Sequence, residues 1–459
     1  MDKASTEKIE FHGTAHDMTV GKPFSIIWRF SLPMILSMLF QQLYNIADSV
    51  IAGKFVNVNA LAAVGASYPI NMLFIAVASG ASVGCSVVVS QVFGAKAFRT
   101  LRTTISTALI SLLVLGLVLT GVGFIICKPL LMVLGTPASI FEDSALYLRI
   151  YIGGLVFLFI YNASTAIFNG LGNSKLPLYF LIFSSVFNVI LAVIFVRVFH
   201  MGVSGVAWAT FIAQGISSIL AVTTLLIRVR NIRVEGGYDL FDVDVLKSIS
   251  RIAIPSIFQQ SFVSVGQLLV QGLINSYGPT VVAGYSAAFK VHTFSLMTMA
   301  TMSGALSSFA AQNIGAGKID RAKQGFRSAL ILSETLIVVI GIVVMFSAKS
   351  IISVFVPNGL GHDVISSGSI LLWTLVPFYP IVALKNICDG ILRGAGDMKR
   401  FMITTFSDLV LRVVLSYIFA PFWGYTGILW TYPIGWVVGT TLSVVFFAGG
   451  WWKKKKLTI

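Results

Sequence analysis

The chain reads as a succession of long apolar runs separated by short polar gaps. Twelve runs can be marked, at roughly 24–51, 61–93, 103–127, 146–170, 176–196, 203–227, 252–276, 281–312, 328–346, 365–391, 402–422 and 424–448. An α-helix needs about 20 residues to cross ~30 Å of hydrocarbon, and these runs reach that length. Two of them, 61–93 and 252–276, contain no charged residue at all. The pattern predicts an all-α integral membrane protein of twelve transmembrane helices. The one polar stretch of any length, Arg228 to Arg251, divides the chain almost in half.

The two halves repeat. Pro33 in Ser31-Leu32-Pro33 matches Pro255 in Ala253-Ile254-Pro255, and Gln91 in "SQVFGAK" matches Gln312 in "AQNIGAG". Gly170 in "NGLGNSK" matches Gly394 in "RGAGDMK", and Gly202-x-x-Gly205-x-x-Trp208 matches Gly424-x-x-Gly427-x-x-Trp430. The four pairs share nearly one spacing. Six spans per half is an even number, so both copies keep one orientation. They form two pseudo-symmetric six-helix bundles, a parallel repeat about the membrane normal, of the kind that binds substrate between its halves. The expected organisation is a segment 1–23, an N-terminal lobe 24–228, a linker 229–250, a C-terminal lobe 251–448 and a basic tail 449–459.

Composition agrees: 56% of residues are hydrophobic and 11% charged, against about 25% charged in soluble chains. The net charge of +15 would suit a nucleic-acid partner, but its distribution argues for a membrane instead. Lys and Arg crowd alternate gaps, such as Lys96, Arg99 and Arg102, or Lys318, Arg321, Lys323 and Arg327. The intervening gaps hold only Lys54, Lys128, Arg197 and Lys349. Basic loops stay inside, so both termini are expected in the cytoplasm. The first 23 residues lack the apolar core of a cleavable signal peptide. Trp451-Trp452 followed by Lys453–Lys456 reads as an interfacial aromatic belt with a basic anchor. Cys85, Cys127 and Cys388 lie far apart without metal spacing and read as packing residues. No metal or cofactor is expected.

Charge inside a span is costly, so such residues are candidates for function. Asp48 lies in the first span, in "QQLYNIADSVIAG". Gln41, Asn45 and Asp48 follow i, i+4, i+7 and form one polar stripe, with Tyr44 one turn from the acid. No base within a turn neutralises Asp48, so it reads as a cation-binding carboxylate facing a wet cavity. Pro33 precedes the stripe and removes a backbone bond, a place for a hinge. The seventh span carries a second stripe, Gln260, Ser264, Gln267 and Gln271, without an acid. That asymmetry suggests ion coupling in the N-terminal half and a broader binding surface in the C-terminal half. Asp408 with Arg412, and Lys385 with Asp389, are i, i+4 pairs read as structural ion pairs. Glu334 and Lys290 have no local partner; each can meet the other across helices or line a cavity. His292 reads as a packed histidine, and Asn188 alone as helix–helix glue.

Taken in order, "LYNIADSVIAG", "SQVFGAK", "NGLGNSK", "GVSGVAWAT", "AQNIGAG" and "RGAGDMK" resemble the multidrug and toxic-compound extrusion (MATE) family over essentially the whole chain. The resemblance implies two bundles forming a V around a central cavity. It implies export of small, mostly cationic amphipathic compounds driven by inward H⁺ or Na⁺, with the lipid bilayer as the other partner. In the branch with an acid in the first span, it implies an ion site of Asp48, Asn188 and Thr210. This chain departs from the family at Ala192, where relatives often carry Asp, which leaves Asp48 the only acid of that site and favours a proton.

Three other classes can be weighed. A flippase for lipid-linked cargo would line its cavity with Arg, whereas the N-terminal spans hold only Arg29 and Arg149, near span ends. A membrane enzyme acting on lipid would need a nucleophile, base or metal cluster; the five His include no pair at ligand spacing. A channel would need a ring of filter residues, which a two-fold repeat does not supply. The expected protein is a monomeric antiporter of small molecules in the cell membrane.

Overall fold

The computed structural model describes residues 16–56, 58–232, 237–354 and 361–454; the side chains of Asn45, Asp48, Ser49, Ala52, Lys54 and Val58 lie outside the described residues. Within these bounds the secondary structure is entirely helical. The N-terminal half contains α1 (Pro23–Ile51), α2 (Val58–Gly94), α3 (Phe98–Val133), α4 (Ala138–Gly153), α5 (Leu155–Gly170), α6 (Lys175–Arg197) and α7 (Gly202–Arg230). The C-terminal half contains α8 (Val243–Asn275), α9 (Pro279–Gly315), α10 (Ile319–Ser353), α11 (Gly361–Leu375), α12 (Tyr379–Gly394) and α13 (Met398–Ala448).

Among the described residues nine helices are long and apolar enough to cross a membrane. The pair α4–α5, bent by 45°, adds one broken span. The last rod, α13, breaks at Gly424 and makes two crossings. The remaining one, α9, is long enough but rich in Ser, Thr and Gly. Counted this way, the crossings are the twelve that the apolar runs predict. Each interruption has a local cause. The α4–α5 bend falls at Gly153-Gly154, where the Phe211 ring lies 3.3 Å from the place of a Gly154 Cβ. The α11–α12 junction holds Pro377 and Pro380 around a short 3₁₀ turn.

The repeat is written into the backbone as well. Gly202, at the start of α7, has φ +59°, and Gly424, its counterpart, has φ +58°. Only glycine enters that region without a Cβ penalty. At this matched position each half therefore turns from its fifth crossing into its sixth.

The halves meet mainly through α2 and α8. A Cβ on Gly80 would lie 2.6 Å from the Ile257 Cα, and one on Gly84 2.6 Å from the Ile249 carbonyl. Small residues at such a crossing let two backbones approach without side chains between them, the main source of helix association in lipid. On the pseudo-equivalent seam, α1 against α9, side chains intervene: Gln42 Nε2 donates to Met297 Sδ at 2.9 Å, and Thr301 lies on Met38. Two glutamines then cross between the halves. Gln91 donates to the Gly394 carbonyl and Gln312 to the Gly170 carbonyl, each at 2.8 Å. These contacts sit at the end of the bundle that carries both described chain ends. Further along, α1 exposes Leu43 and Ile46 and α8 exposes Phe262 and Leu268. The architecture is a V of two six-span bundles with its apex at the end carrying the described chain ends.

Candidate functional site

Four helices of the N-terminal half line a small, partly open pocket with a cavity volume of about 50 Å³. α1 contributes Gln41 and Tyr44, α5 Tyr161, α6 Ser184, Ser185 and Asn188, and α7 Thr210, Gln214 and Ser217. The helices around it bury Ala, Val, Leu and Phe, so a polar lining here is a local exception. It exists because polar residues recur at helical spacing on each wall. Ser184 and Asn188 are i, i+4, and Thr210, Gln214 and Ser217 are i, i+4, i+7.

Thr210 is the centre of the polar contacts. Its hydroxyl donates back to the Val206 carbonyl at 3.2 Å, a common arrangement for a helical threonine. A threonine has one proton to give, so its other neighbours must be donors. Asn188 Nδ2 donates to Thr210 Oγ1 at 3.1 Å, and the Tyr44 hydroxyl, 3.3 Å away, does the same. Asn188 is 1% exposed, and its Oδ1 has no hydrogen-bond partner among the described residues. A buried amide oxygen without a donor costs about 1–3 kcal/mol, and here it sits on the wall of a pocket. One turn further along α6, Ala192 is fully buried in an apolar cluster with Ile51, Ala60, Val206 and Ala209. The position one turn beyond Asn188 is therefore apolar.

Of the residues singled out in the first span, Gln41 and Tyr44 line this pocket. Asn45 and Asp48 lie on α1, Asp48 one turn beyond Tyr44 in register; their side chains are outside the described residues. Asn188 and Thr210 are brought together directly. Tyr161, Gln214 and the three serines belong to the lining but not to the residues expected from sequence. For Gln214 and the serines, helical spacing on the fifth and sixth crossings was the available signal.

The stripe on the seventh crossing lies elsewhere. Ser264 donates to the Gln260 carbonyl at 3.1 Å, Gln271 to Asn275 at 2.9 Å, and Gln267 is exposed. None of the four lines the pocket. Glu334 is half-buried on α10 and Lys290 exposed on α9; no ion pair joins them among the described residues. Pro33 lies inside α1, where the Ser37 hydroxyl donates to its carbonyl at 2.9 Å.

Two buried ion pairs lie in the C-terminal half. Lys385 meets Asp389 at 2.7 Å, and Arg412 meets Asp408 at 2.7 Å. Asp389 Oδ1 also accepts from Ser443 at 2.7 Å and Thr404 at 3.1 Å. The Arg412 guanidinium stacks over the Tyr432 ring, 4.6 Å from its centroid. His292 is fully buried, 3.0 Å from the Tyr379 hydroxyl and stacked on Trp436. The three cysteines are free and buried.

Comparison with known proteins bears on both the repeat and the fold. The chain is 29% identical to the probable multidrug resistance protein YoeA of Bacillus subtilis, covering 81% of this chain and 82% of that one. It is 27% identical to YpnP of the same organism, also a probable multidrug resistance protein, over 90% and 92%. Among solved structures, an outward-facing multidrug resistance MATE family transporter of the MOP superfamily superposes with a TM-score of 0.88 at 22% identity, over 95% of this chain and 98% of that one. The MatE family model matches twice, over residues 33–194 and again over 255–418, once in each half. A doubled family match, relatives aligned along most of their length and a shared two-bundle fold converge on one assignment: this chain is a multi-pass membrane protein of the MATE family of multidrug efflux transporters.

Proposed function

We propose that the protein is a proton-coupled antiporter that exports small cationic amphipathic compounds by alternating access, with Asp48 as its coupling residue. The observation that carries this reading is the unpaired Asn188 oxygen in a pocket one helical turn from Asp48. A proton taken up by Asp48 adds a donor to a group of side chains in which an acceptor lacks one. When the proton leaves, the carboxylate becomes an acceptor only. The two protonation states thus favour different hydrogen-bond arrangements on α1, the helix that carries Pro33 and packs against α9. A coupling ion shifts a conformational equilibrium only through such a difference. The methyl-lined surroundings of Ala192 support a proton over Na⁺, which prefers several oxygen ligands. In this reading the end carrying the termini is cytoplasmic, the V opens outward, the protein works as a monomer, and no chemistry is done on the cargo.

Reconstituted vesicles test the reading. With a cationic dye as cargo, an imposed pH gradient is expected to drive dye movement against its own gradient, and an imposed Na⁺ gradient at equal pH is not. Movement under the Na⁺ gradient alone would transfer the coupling to Na⁺. The orientation is tested separately. Asp239→Cys, at an exposed position between the halves, should resist an impermeant thiol reagent in intact cells and react once the cells are opened.

A further inference from the structure

Ahead of α1, residues His16 to Lys22 run across the apex of the V, and different halves hold His16 and Met18. The His16 backbone N–H donates to the Leu171 carbonyl at 3.1 Å, in the turn after α5. The neighbouring Gly172 leaves room for the His16 carbonyl that a side chain would fill. Two residues later the grip passes to the C-terminal half. The Met18 N–H donates to Gln312 Oε1 at 3.0 Å, and its carbonyl accepts from Asn313 and Arg321, each at 3.3 Å. The Lys318 ammonium donates to the Thr19 carbonyl at 3.0 Å. Met18 is 1% exposed and packs into the apolar core that both halves share. Gln312 closes the circuit, because its amide nitrogen donates back to the Gly170 carbonyl of the N-terminal half.

The segment before α8 is the pseudo-symmetric counterpart and also crosses to the opposite half. The Asp242 N–H donates to Thr107 at 3.1 Å, and Arg102 lies over the Tyr238 ring at 4.5 Å. It is not inserted, however: Leu240 is 66% exposed where Met18 is 1% exposed. Of the two crossing segments, the N-terminal one carries a buried anchor.

We propose that residues 16–22 form a strap that holds the apex of the two halves shut and must unlatch each time that end opens. Separating the α5–α6 turn from the α9–α10 turn cannot leave both the His16 and the Met18 contacts bound. It must release either the His16 contact or the Met18 anchor. This inference rests on the halves parting at the apex, as alternating access requires, but on neither the cargo nor the coupling ion.

A distance measurement in the full chain tests it. Spin labels at Lys175→Cys and Gln324→Cys lie on opposite halves at exposed positions of the apex, and the native cysteines are buried. Met18→Gly removes the anchor; Lys318→Ala with Arg321→Ala removes two donors that grip the strap from the surface. Each variant is expected to raise the fraction of long label-to-label distances about tenfold, the scale set by losing one buried apolar side chain. If Met18→Gly does not fold, the surface pair reads the same equilibrium. Distance distributions that superpose on those of the unaltered strap would overturn the proposal. Because no ion or cargo is added, that failure is distinct from a failure of proton coupling.

Discussion

Asp48→Asn is expected to yield a folded protein that still binds dye but no longer concentrates it, with gradient-driven efflux reduced to the background leak. The substitution keeps the shape of the side chain while removing its titratable charge. Among the described residues the pocket beside it is lined by no carboxylate. Ala192 supplies no substitute, since it is fully buried among aliphatic groups. Loss of the proton therefore leaves nothing to couple, while the fold, which rests on packing elsewhere, should be intact. Asn188→Ala should behave differently. It removes the unpaired acceptor but not the titrating group, and about 1–3 kcal/mol of desolvation cost with it. A slower pump with a stable or stabilised fold is expected. The check is dye accumulation in vesicles under an imposed pH gradient, alongside thermal unfolding in detergent. Wild-type accumulation by Asp48→Asn would move the coupling role elsewhere, with Glu334 on α10 the next residue to replace.

The largest effect on stability is expected in the other half. Asp389→Leu alone should destabilise the protein by about 3–5 kcal/mol, because it strands the Lys385 ammonium inside the bundle. Lys385 and Asp389 side chains are only 8% and 4% exposed, so water cannot take over the lost partner. The double variant Lys385→Met/Asp389→Leu should recover most of that loss, since two apolar side chains can replace a buried ion pair at little net cost. Ser443 and Thr404, which both donate to Asp389, would then have to turn elsewhere, which keeps the recovery incomplete. Asp408 and Arg412 should follow the same rule with smaller amplitude, being 10% and 13% exposed. Detergent unfolding curves for both single variants and the double variant give the coupling energy; purely additive losses would mean that the pairs do not neutralise each other.

The same contrast between halves explains how far the sequence can be read. Long apolar runs have one stable form in lipid, because every backbone N–H and C=O must be satisfied within the segment. The twelve crossings, their breaks at Pro377, Pro380 and Gly424 and the doubled pattern follow from this local constraint. The i, i+4 ion pairs do too, since partners one turn apart meet whatever the bundle does. Pairings between helices are not local, and spacing alone does not give them. Gln260 and Gln271 form a stripe as regular as that of Thr210, Gln214 and Ser217, yet the latter lines the N-terminal pocket and the former does not. Spacing says that residues share a face; it does not say what the face meets. That Thr210 binds both Asn188 and Tyr44, that Gly80 and Gly84 admit α8 while Thr301 meets Met38 across the matching seam, and that Met18 is anchored under Gln312 depended on how the helices pack. Helix packing is decided by van der Waals fit between surfaces far apart in the chain, so only the tertiary structure specified the pocket, the seam and the strap.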